Sequence, residues 1–424
     1  MAKELHELNQ LEERVILVAV EMDERNSRSA MQTEACLDEL EELIKTAGAT
    51  AVARTIQKRE RIHPGHYLGT GKIEELKAML AAYDATGIVC DDELSPAQMK
   101  NLEQMLGTKV MDRTMVILDI FAARALSGEG KIQVELAQLK YRLSRLVGIG
   151  ASMSRLGGGI GTRGPGETKL ESDRRHIRRR IHNLEEQLEE LEQRRDLLHQ
   201  RRKKDGVISV AIVGYTNVGK STLLNTLTDA GVLAKDMLFA TLDPTSRALT
   251  LPDGRKVMLV DTVGLVSRLP HHLVEAFKST LEEAVNADLI LNVCDVSSPE
   301  FDNQLAVTKQ VLKDLGAENV PVLTVLNKCD LAEIPPMTLD KQTAAISAKD
   351  GIGLETLLQK IALNLPETHK HLQMILPYDK AGLASEIRIN GKVLEEEYRA
   401  EGVFLDAQVD IKICHKVQDY IVKE

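Results

Sequence analysis

Short apolar runs alternate with helix-like patterns over residues 14 to about 128. Residues 15–20 and 87–90 are continuous apolar runs, which predict buried strands. Residues 35–44 have the apolar spacing of a helix, and a further helix is expected to open at Ser95-Pro96. Strands alternating with helices predict an α/β layer with a largely parallel sheet.

A different periodicity follows over residues 130–204. Apolar residues there are spaced four and three apart, at Ile132, Leu136, Leu139, Leu143 and Leu146, and again at Ile177, Ile181, Leu184, Leu188 and Leu191. This spacing is typical of coiled-coil seams. Residues 157–167, between the two seams, are rich in glycine and proline, which should stop a helix. We therefore predict a long antiparallel helical hairpin with a glycine-rich tip.

The second half of this hairpin is unusually basic. An acidic stretch, residues 185–192, separates two basic groups and is typical of a solvated helix face. The first basic group lies beside the tip, so we favour contact with nucleic-acid phosphates there over a solvated surface. The candidate contacts are Arg163, Arg174, Arg175, Arg178 and Arg179.

The remaining chain contains a second α/β unit and a short tail with strand-like runs at 393–398 and 404–413. The expected domains are residues 1–129 (α/β), 130–204 (hairpin), 205–366 (a second α/β domain) and 367–424 (small α+β). We found no internal repeat, and the tail shows no readable chemistry.

An apolar run at 207–213 leads into a phosphate-binding pattern. The sequence G-x-x-x-x-G-K-S predicts a P-loop between a strand and a helix. Its glycines let backbone N–H groups face phosphates, and the helix dipole adds positive potential. The expected ligand residues are Gly214, Tyr215, Thr216, Asn217, Val218, Gly219, Lys220, Ser221 and Thr222. Lys220 should reach the β- and γ-phosphates, and Ser221 should bind Mg²⁺.

Two further motifs are expected around the γ-phosphate. Asp261-Thr262-Val263-Gly264 follows a strand predicted at 255–260. Its aspartate would hold Mg²⁺ through water, and the Gly264 N–H would sense the γ-phosphate. Upstream, the loop Phe239-Ala240-Thr241-Leu242-Asp243 offers Thr241 as the second protein ligand of Mg²⁺.

The last two motifs predict the base. A strand at 321–326 leads to Asn327-Lys328-Cys329-Asp330, and residues 343–346 lead to Ser347-Ala348-Lys349. The Asp330 carboxylate can accept hydrogen bonds from guanine N1–H and the 2-amino group, which adenine lacks. Backbone N–H groups of the second motif can bond guanine O6. The sequence thus predicts GTP rather than ATP.

The predicted catalytic set is Lys220, Thr241, Asp261 and Gly264. Many GTPases orient the attacking water with a glutamine just after the D-x-x-G glycine, but here that position is Leu265. Leucine cannot hydrogen-bond to water, so slow intrinsic hydrolysis and acceleration by a partner are expected.

Net charge, cysteine content and hydropathy limit the binding partners and the cellular location that can be expected. The net charge of −10 excludes nucleic-acid binding by overall charge, so any such contact must be local. Five scattered cysteines, with no C-x-x-C pair, fit reduced thiols in the cytosol. No apolar run approaches the roughly 20 residues that span a bilayer. A cytoplasmic protein is expected, with association to a membrane surface left open and no cofactor beyond Mg²⁺.

Several longer runs resemble the HflX family of ribosome-associated P-loop GTPases. They are residues 67–76, 112–122, 133–139, 157–167 and 238–244. The resemblance implies a monomeric GTPase that binds the 50S subunit and 23S rRNA through the hairpin and splits or rescues 70S ribosomes. Relatives imply ATP binding in the first domain, for which the Gly69-Thr-Gly71-Lys72 cluster is only weak support.

Two other functions remain open. The chain could be a regulatory GTPase switch that docks a protein partner with its hairpin. It could instead be an ATP-driven RNA helicase, which Asp330 disfavours.

Overall fold

The computed structural model describes residues 13–22, 30–153, 165–228, 238–239, 244–266, 281–332, 340–366 and 369–422. The chain forms two compact units, Met1–Leu363 and Asn364–Glu424.

A parallel four-stranded sheet forms the first part of the larger unit. Its strands are β1 (Arg14–Met22), β2 (Thr50–Arg59), β3 (Gly87–Cys90) and β4 (Lys109–Asp112), in the order β2-β1-β3-β4. Each neighbouring pair runs parallel. Because helices cover both faces, the central strands are buried on both sides and show no polar alternation. The predicted α/β layer is confirmed.

Four helices pack on this sheet: α1 (Ala30–Ala47), α2 (Thr70–Ala82), α3 (Pro96–Leu106) and α4 (Arg113–Arg124). Alternate β1 residues, Ile16 and Val18, share an apolar core with α2 and α3. Helix α1 contacts β1 and α4. Helix α3 begins where the sequence predicts, because Ser95 and Gln98 form a reciprocal capping box.

The hairpin consists of α5 (Gly128–Met153) and α6 (Pro165–Asp205). The predicted seam is confirmed by a buried cluster of Leu136, Ile181 and Leu184, flanked by further seam residues. The expectation that residues 165–167 belong to a loop is wrong. Proline is favoured at the first helical position, where its missing N–H costs nothing, so α6 begins at Pro165. The rest of the predicted tip up to residue 164, including Arg163, lies outside the described residues.

A buried carboxylate joins the N-terminal sheet to the hairpin. Asp112, fully buried at the end of β4, accepts hydrogen bonds from the backbone N–H groups of Leu94 (3.1 Å) and Met115 (3.0 Å). It also accepts from the Tyr141 hydroxyl at 2.7 Å and the Arg145 guanidinium at 2.6 Å, both on α5. One side chain thus caps α4 and joins it to the middle of α5.

Removing this carboxylate should destabilise the protein strongly. We expect Asp112→Ala to lower the free energy of unfolding by about 3–5 kcal/mol, since a half-buried arginine and two backbone donors lose their acceptor. Urea denaturation of the full chain measures this. Asp119→Ala is the matched control, because that carboxylate is exposed on α4 and should change stability by less than about 0.5 kcal/mol. Equal effects of the two substitutions would contradict the assigned role of Asp112.

The second sheet contains β5 (Ile208–Gly214), β6 (Thr245–Thr250), β7 (Lys256–Asp261), β8 (Leu289–Asp295), β9 (Val322–Asn327) and β10 (Thr343–Ala345). The order is β10-β9-β8-β5-β7-β6, with β6 antiparallel to β7 and the other neighbours parallel. Its helices include α7 (Lys220–Thr228), α8 (Phe301–Asp314) and α9 (Leu354–Asn364). Motifs that follow β5, β7, β9 and β10 therefore meet at one sheet edge.

The smaller unit is an antiparallel sheet with helices. Its strands β11 (His369–Leu376), β12 (Lys392–Arg399) and β13 (Gly402–Asp410) have the order β11-β13-β12. Its helices are α10 (Ala381–Asn390) and α11 (Ile411–Val417). The strand predicted at 404–413 is wrong over 411–413, because Ile413 and Val417, one helical turn apart, both enter the core. Among the described helices, none has the length and apolarity to cross a bilayer.

Candidate functional site

The turn after β5 has the backbone that a phosphate cradle requires. Gly219 has a φ of 94°, and a Cβ there would overlap the Asn327 amide, so no other residue fits without strain. Helix α7 begins at the next residue, Lys220. The first N–H groups of a helix lack intrahelical partners and carry the positive end of its dipole. This end of β5 can therefore hold phosphate oxygens.

Lys220 is a buried cation at the centre of this turn. Its side chain is 7% exposed, and its ammonium group donates to the carbonyls of Gly214 (3.1 Å) and Tyr215 (2.5 Å). Burial lowers the pKa of Lys220 to about 8, and the Asp261 carboxylate opposes that shift only in part. A buried ammonium whose charge is poorly compensated gains from an anion such as a phosphate.

Two oxygen donors meet beside Lys220. The Ser221 hydroxyl donates to Asp261 Oδ2 at 2.7 Å, and Asp261 is fully buried at the end of β7. A hydroxyl and a carboxylate at this spacing suit a hard, oxygen-preferring cation. The residues present thus fit Mg²⁺.

The D-x-x-G segment is hydrogen-bonded to the P-loop. The Thr216 N–H donates to the Leu265 carbonyl at 2.7 Å, and the Leu265 N–H donates to the Gly214 carbonyl at 3.0 Å. A Cβ on Gly264 would overlap Thr216 and approach Lys220 Nζ. A phosphate that displaces Gly264 must therefore disturb these bonds. The Leu265 side chain is only 3% exposed, so it faces the interior.

Of the upstream loop, Phe239 is described, whereas Ala240, Thr241, Leu242 and Asp243 lie outside the described residues. Phe239 is buried with a φ of 54°, a left-handed conformation that costs a bulky side chain about 1–2 kcal/mol. Its ring packs edge-on against Phe121 of α4, with centroids 4.6 Å apart. The N-terminal sheet unit therefore contacts the loop two residues before Thr241.

On the base side, Asn327 connects two walls of the site. Its amide donates to the Val218 carbonyl at 2.7 Å and accepts from the Ala348 N–H at 2.9 Å. The Ser347 N–H donates to the Ile352 carbonyl. The Ser347 N–H is thus already engaged, and the Ala348 N–H bonds to Asn327.

The other base-side residues lie on the turn after β9. Lys328, with a φ of 62°, pairs with Asp295 at 2.7 Å. The Asp330 side chain is exposed at the end of that turn. A carboxylate held there can accept the N1–H and 2-amino donors of a guanine that enters from solvent.

Other predicted ligand residues take different positions. Thr262 is buried, and its hydroxyl donates to the Ile212 carbonyl at 2.8 Å, so its side chain faces β5 rather than the cradle. Val263 is buried. Asn217 is exposed with a φ of 61°, which asparagine tolerates better than most residues. Cys329 is half-buried.

Comparisons with known proteins agree with this geometry. Three family models match consecutive parts of the chain: GTP-binding GTPase N-terminal (residues 34–122), GTP-binding GTPase Middle Region (124–202) and 50S ribosome-binding GTPase (209–328). A protein named GTPase HflX from Lacrimispora saccharolytica is 56% identical over 420 residues, covering 98% of both chains. This chain belongs to the HflX family. It is accordingly a GTPase, with guanosine triphosphate as its substrate.

Other HflX relatives match over nearly as much of the chain. GTPase HflX of Caldanaerobacter subterraneus is 52% identical over 418 residues, covering 99% of this chain and 96% of the relative. GTPase HflX of Escherichia coli is 40% identical over 383 residues, covering 89% and 90%. The likeness thus extends well beyond the nucleotide motifs.

The hairpin arginines of this HflX protein divide into two groups. Arg180 pairs with Glu135 of α5 through two bonds of 2.7 and 2.8 Å, and Arg174 donates to the Leu146 carbonyl. Arg175, Arg178 and Arg179 are exposed, and within the described residues no hydrogen bond or ion pair engages them. Arg178 and Arg179 lie three and four positions after Arg175, so the three residues share one side of α6.

Sequence reasoning missed several residues that shape the site. Asp295 ends β8 and holds Lys328, and the Thr226 hydroxyl donates to the Ala348 carbonyl at 2.8 Å. An aspartate at the end of an apolar run, as at Asp295, is a signal that could have been used. No pattern in the sequence pairs Phe121 with Phe239.

Proposed function

We propose that this HflX GTPase binds the 50S subunit through its hairpin and that the ribosome accelerates its Mg²⁺-dependent hydrolysis of GTP. Its action on ribosomes would be the splitting or rescue of stalled or hibernating 70S particles, or a role in subunit biogenesis. It would act in the cytoplasm as a monomer, with 23S rRNA as the contacted RNA.

The exposed group of Arg175, Arg178 and Arg179 carries this proposal. Three guanidinium groups on one side of a projecting helix suit the phosphates of an RNA surface. Overall charge opposes nucleic-acid binding, so this local group must supply the attraction. The description of the family model over residues 209–328, a 50S ribosome-binding GTPase, supports the same partner.

The chemistry follows from the P-loop geometry. Lys220 and the N–H groups of the P-loop and α7 would hold the phosphate oxygens and stabilise charge as water attacks the γ-phosphorus. Ser221, Asp261 and Thr241 would hold Mg²⁺, which when bound neutralises charge between the β- and γ-phosphates. Asp330 would select guanine.

At the position after Gly264, the described part of the site offers no side chain that could position the attacking water. The Leu265 side chain is apolar and buried, so it cannot orient a nucleophile. The missing group, or the ordering of Thr241 and Gly264, would come from the bound ribosome.

GTP turnover measured with and without purified 50S and 70S particles tests this proposal. We expect slow hydrolysis alone and a rate at least about tenfold higher with saturating 50S subunits, since groups supplied by a partner can contribute far more. Lys220→Ala should abolish both rates. Light scattering of 70S particles would report splitting.

A rate unaffected by 50S or 70S particles would contradict ribosomal activation. If GTP-analogue-loaded protein also failed to sediment with ribosomes, the regulatory switch acting on a protein partner would be favoured.

A further inference from the structure

The far end of α6 contacts the GTPase part of the chain through ion pairs. The Arg195 guanidinium donates to Glu129 at 2.6 Å and to Glu282 at 2.7 Å. Glu129 lies in the first turn of α5, whereas Glu282 lies in a helical segment, residues 281–285, that precedes β8. One side chain thus bridges the base of the hairpin and the GTPase part.

A second pair lies one turn further along α6. His199 Nε2 is 3.2 Å from Glu283 Oε1, on the same helical segment. Burial opposes ionisation of Glu283, but its bond to His199 and the charges of Arg202 and Arg195 hold its pKa below the ordinary value. The segment is therefore held to α6 by two adjacent carboxylates, Glu282 and Glu283, which contact Arg195 and His199.

These contacts are shielded from solvent, unlike most surface ion pairs. Side-chain exposure is 16% for Arg195 and 23% for Glu282, against 73% for the neighbouring Arg194. Arg194 lies 3.8 Å from Glu190 of its own helix. Salt screens a half-buried ion pair only weakly. The guanidinium of Arg195 is also fixed in orientation, because two of its edges donate hydrogen bonds. A movement of the 281–285 segment can therefore be passed through Arg195 to α5 and α6.

The segment that Arg195 contacts lies, along the chain, between the D-x-x-G motif and β8. It follows the D-x-x-G turn in the chain and leads into β8 through Asp288, whose carboxylate accepts from the Ser209 N–H of β5 at 2.8 Å. Gly264 lies upstream, against Thr216 and Lys220. The described helical segment 281–285 is therefore connected to Gly264 along the chain and to α6 by ion pairs.

We propose that Arg195 is a positioning residue that couples the nucleotide state to the hairpin, through its bridge between Glu129 and Glu282. The coupling works in both directions, because linkage between two sites is reciprocal. GTP in the P-loop changes how the base of α6 is held, and a partner bound to the arginine group changes how residues 281–285 are held. This second direction rests on the proposed ribosomal function.

The first test needs no ribosome. Amide hydrogen exchange of residues 190–202 is compared in the full chain with GDP and with a non-hydrolysable GTP analogue, both with Mg²⁺. We expect exchange rates in wild type to differ between the nucleotides by at least about fivefold. Arg195→Gln should abolish the difference, whereas Arg194→Gln should retain it. Equal exchange with both nucleotides in wild type, or a difference that survives in Arg195→Gln, would overturn the coupling.

The second test measures the stimulation of GTP turnover by 50S subunits. Arg195→Gln should reduce the fold-stimulation about tenfold, with 50S binding and melting temperature nearly unchanged. Adding Glu282→Gln to Arg195→Gln should not reduce the fold-stimulation further, since both substitutions remove the same Arg195–Glu282 ion pair. A loss explained by weaker 50S binding or by a lower melting temperature would overturn the assignment. Absence of stimulation in wild type would instead refute the proposed function, and the exchange result would still decide the coupling.

Discussion

Asp330→Ala is expected to lower the affinity of the protein for GTP by roughly 10²–10⁴-fold, because two charge-assisted hydrogen bonds to guanine are lost at about 1.5–3 kcal/mol each. Competition between labelled GDP and unlabelled nucleotides measures this. Asp330→Asn should reverse the base preference. The amide can donate to the 2-oxo group of xanthine, so this variant should bind xanthosine triphosphate better than GTP.

Asp302→Ala is the matched control for that experiment. Asp302 is an exposed carboxylate in the first turn of α8, so its loss should leave nucleotide affinity within about twofold of wild type. If Asp330→Ala bound GTP as wild type does, base selection would have to reside elsewhere in the site.

Neutralising the exposed hairpin arginines should weaken 50S binding and make it less salt-dependent. Each phosphate contact contributes roughly 0.7–0.9 to the slope of log K against log salt, so Arg175→Gln, Arg178→Gln and Arg179→Gln together should reduce that slope by about 2. Sedimentation with 50S subunits at several salt concentrations measures the slope. Charge reversal at the same positions, and at Arg174, should weaken binding further.

Arg180→Gln provides the comparison within the same helix turn. Its guanidinium is already paired with Glu135, so it offers less charge to RNA. We expect its slope to stay close to that of wild type. If the triple variant sedimented with 50S subunits as wild type does, these arginines would not contact RNA and would only form a solvated surface.

Features with local causes could be predicted from the sequence. Strands β1, β3 and β5 follow from continuous apolar runs, and the start of α3 follows from Ser95 and Gln98. The glycine at position 219 signals a left-handed turn before any coordinates are known. Motifs at the ends of neighbouring parallel strands must converge, so the composition of the candidate site was also predictable.

Features that depend on distant residues could not be predicted in this way. Arg174 and Arg180 look identical in sequence to Arg175, yet α5 engages the first two and leaves the third exposed. Likewise, nothing local marks Arg195 as different from Arg194. The side of α6 that meets another helix is decided by the crossing of the two helices, which a single sequence does not specify.

The carboxamide of Asn327 connects the purine side and the phosphate side of the cleft by hydrogen bonds to both. It spans from Val218 to Ala348, so the two walls already stand at a set separation when a ligand arrives. Because the two loops are already ordered in the folded protein, ligand binding loses less conformational entropy. Binding of the nucleoside and binding of the triphosphate should consequently be cooperative. A substitution in either wall should weaken binding at the other wall as well.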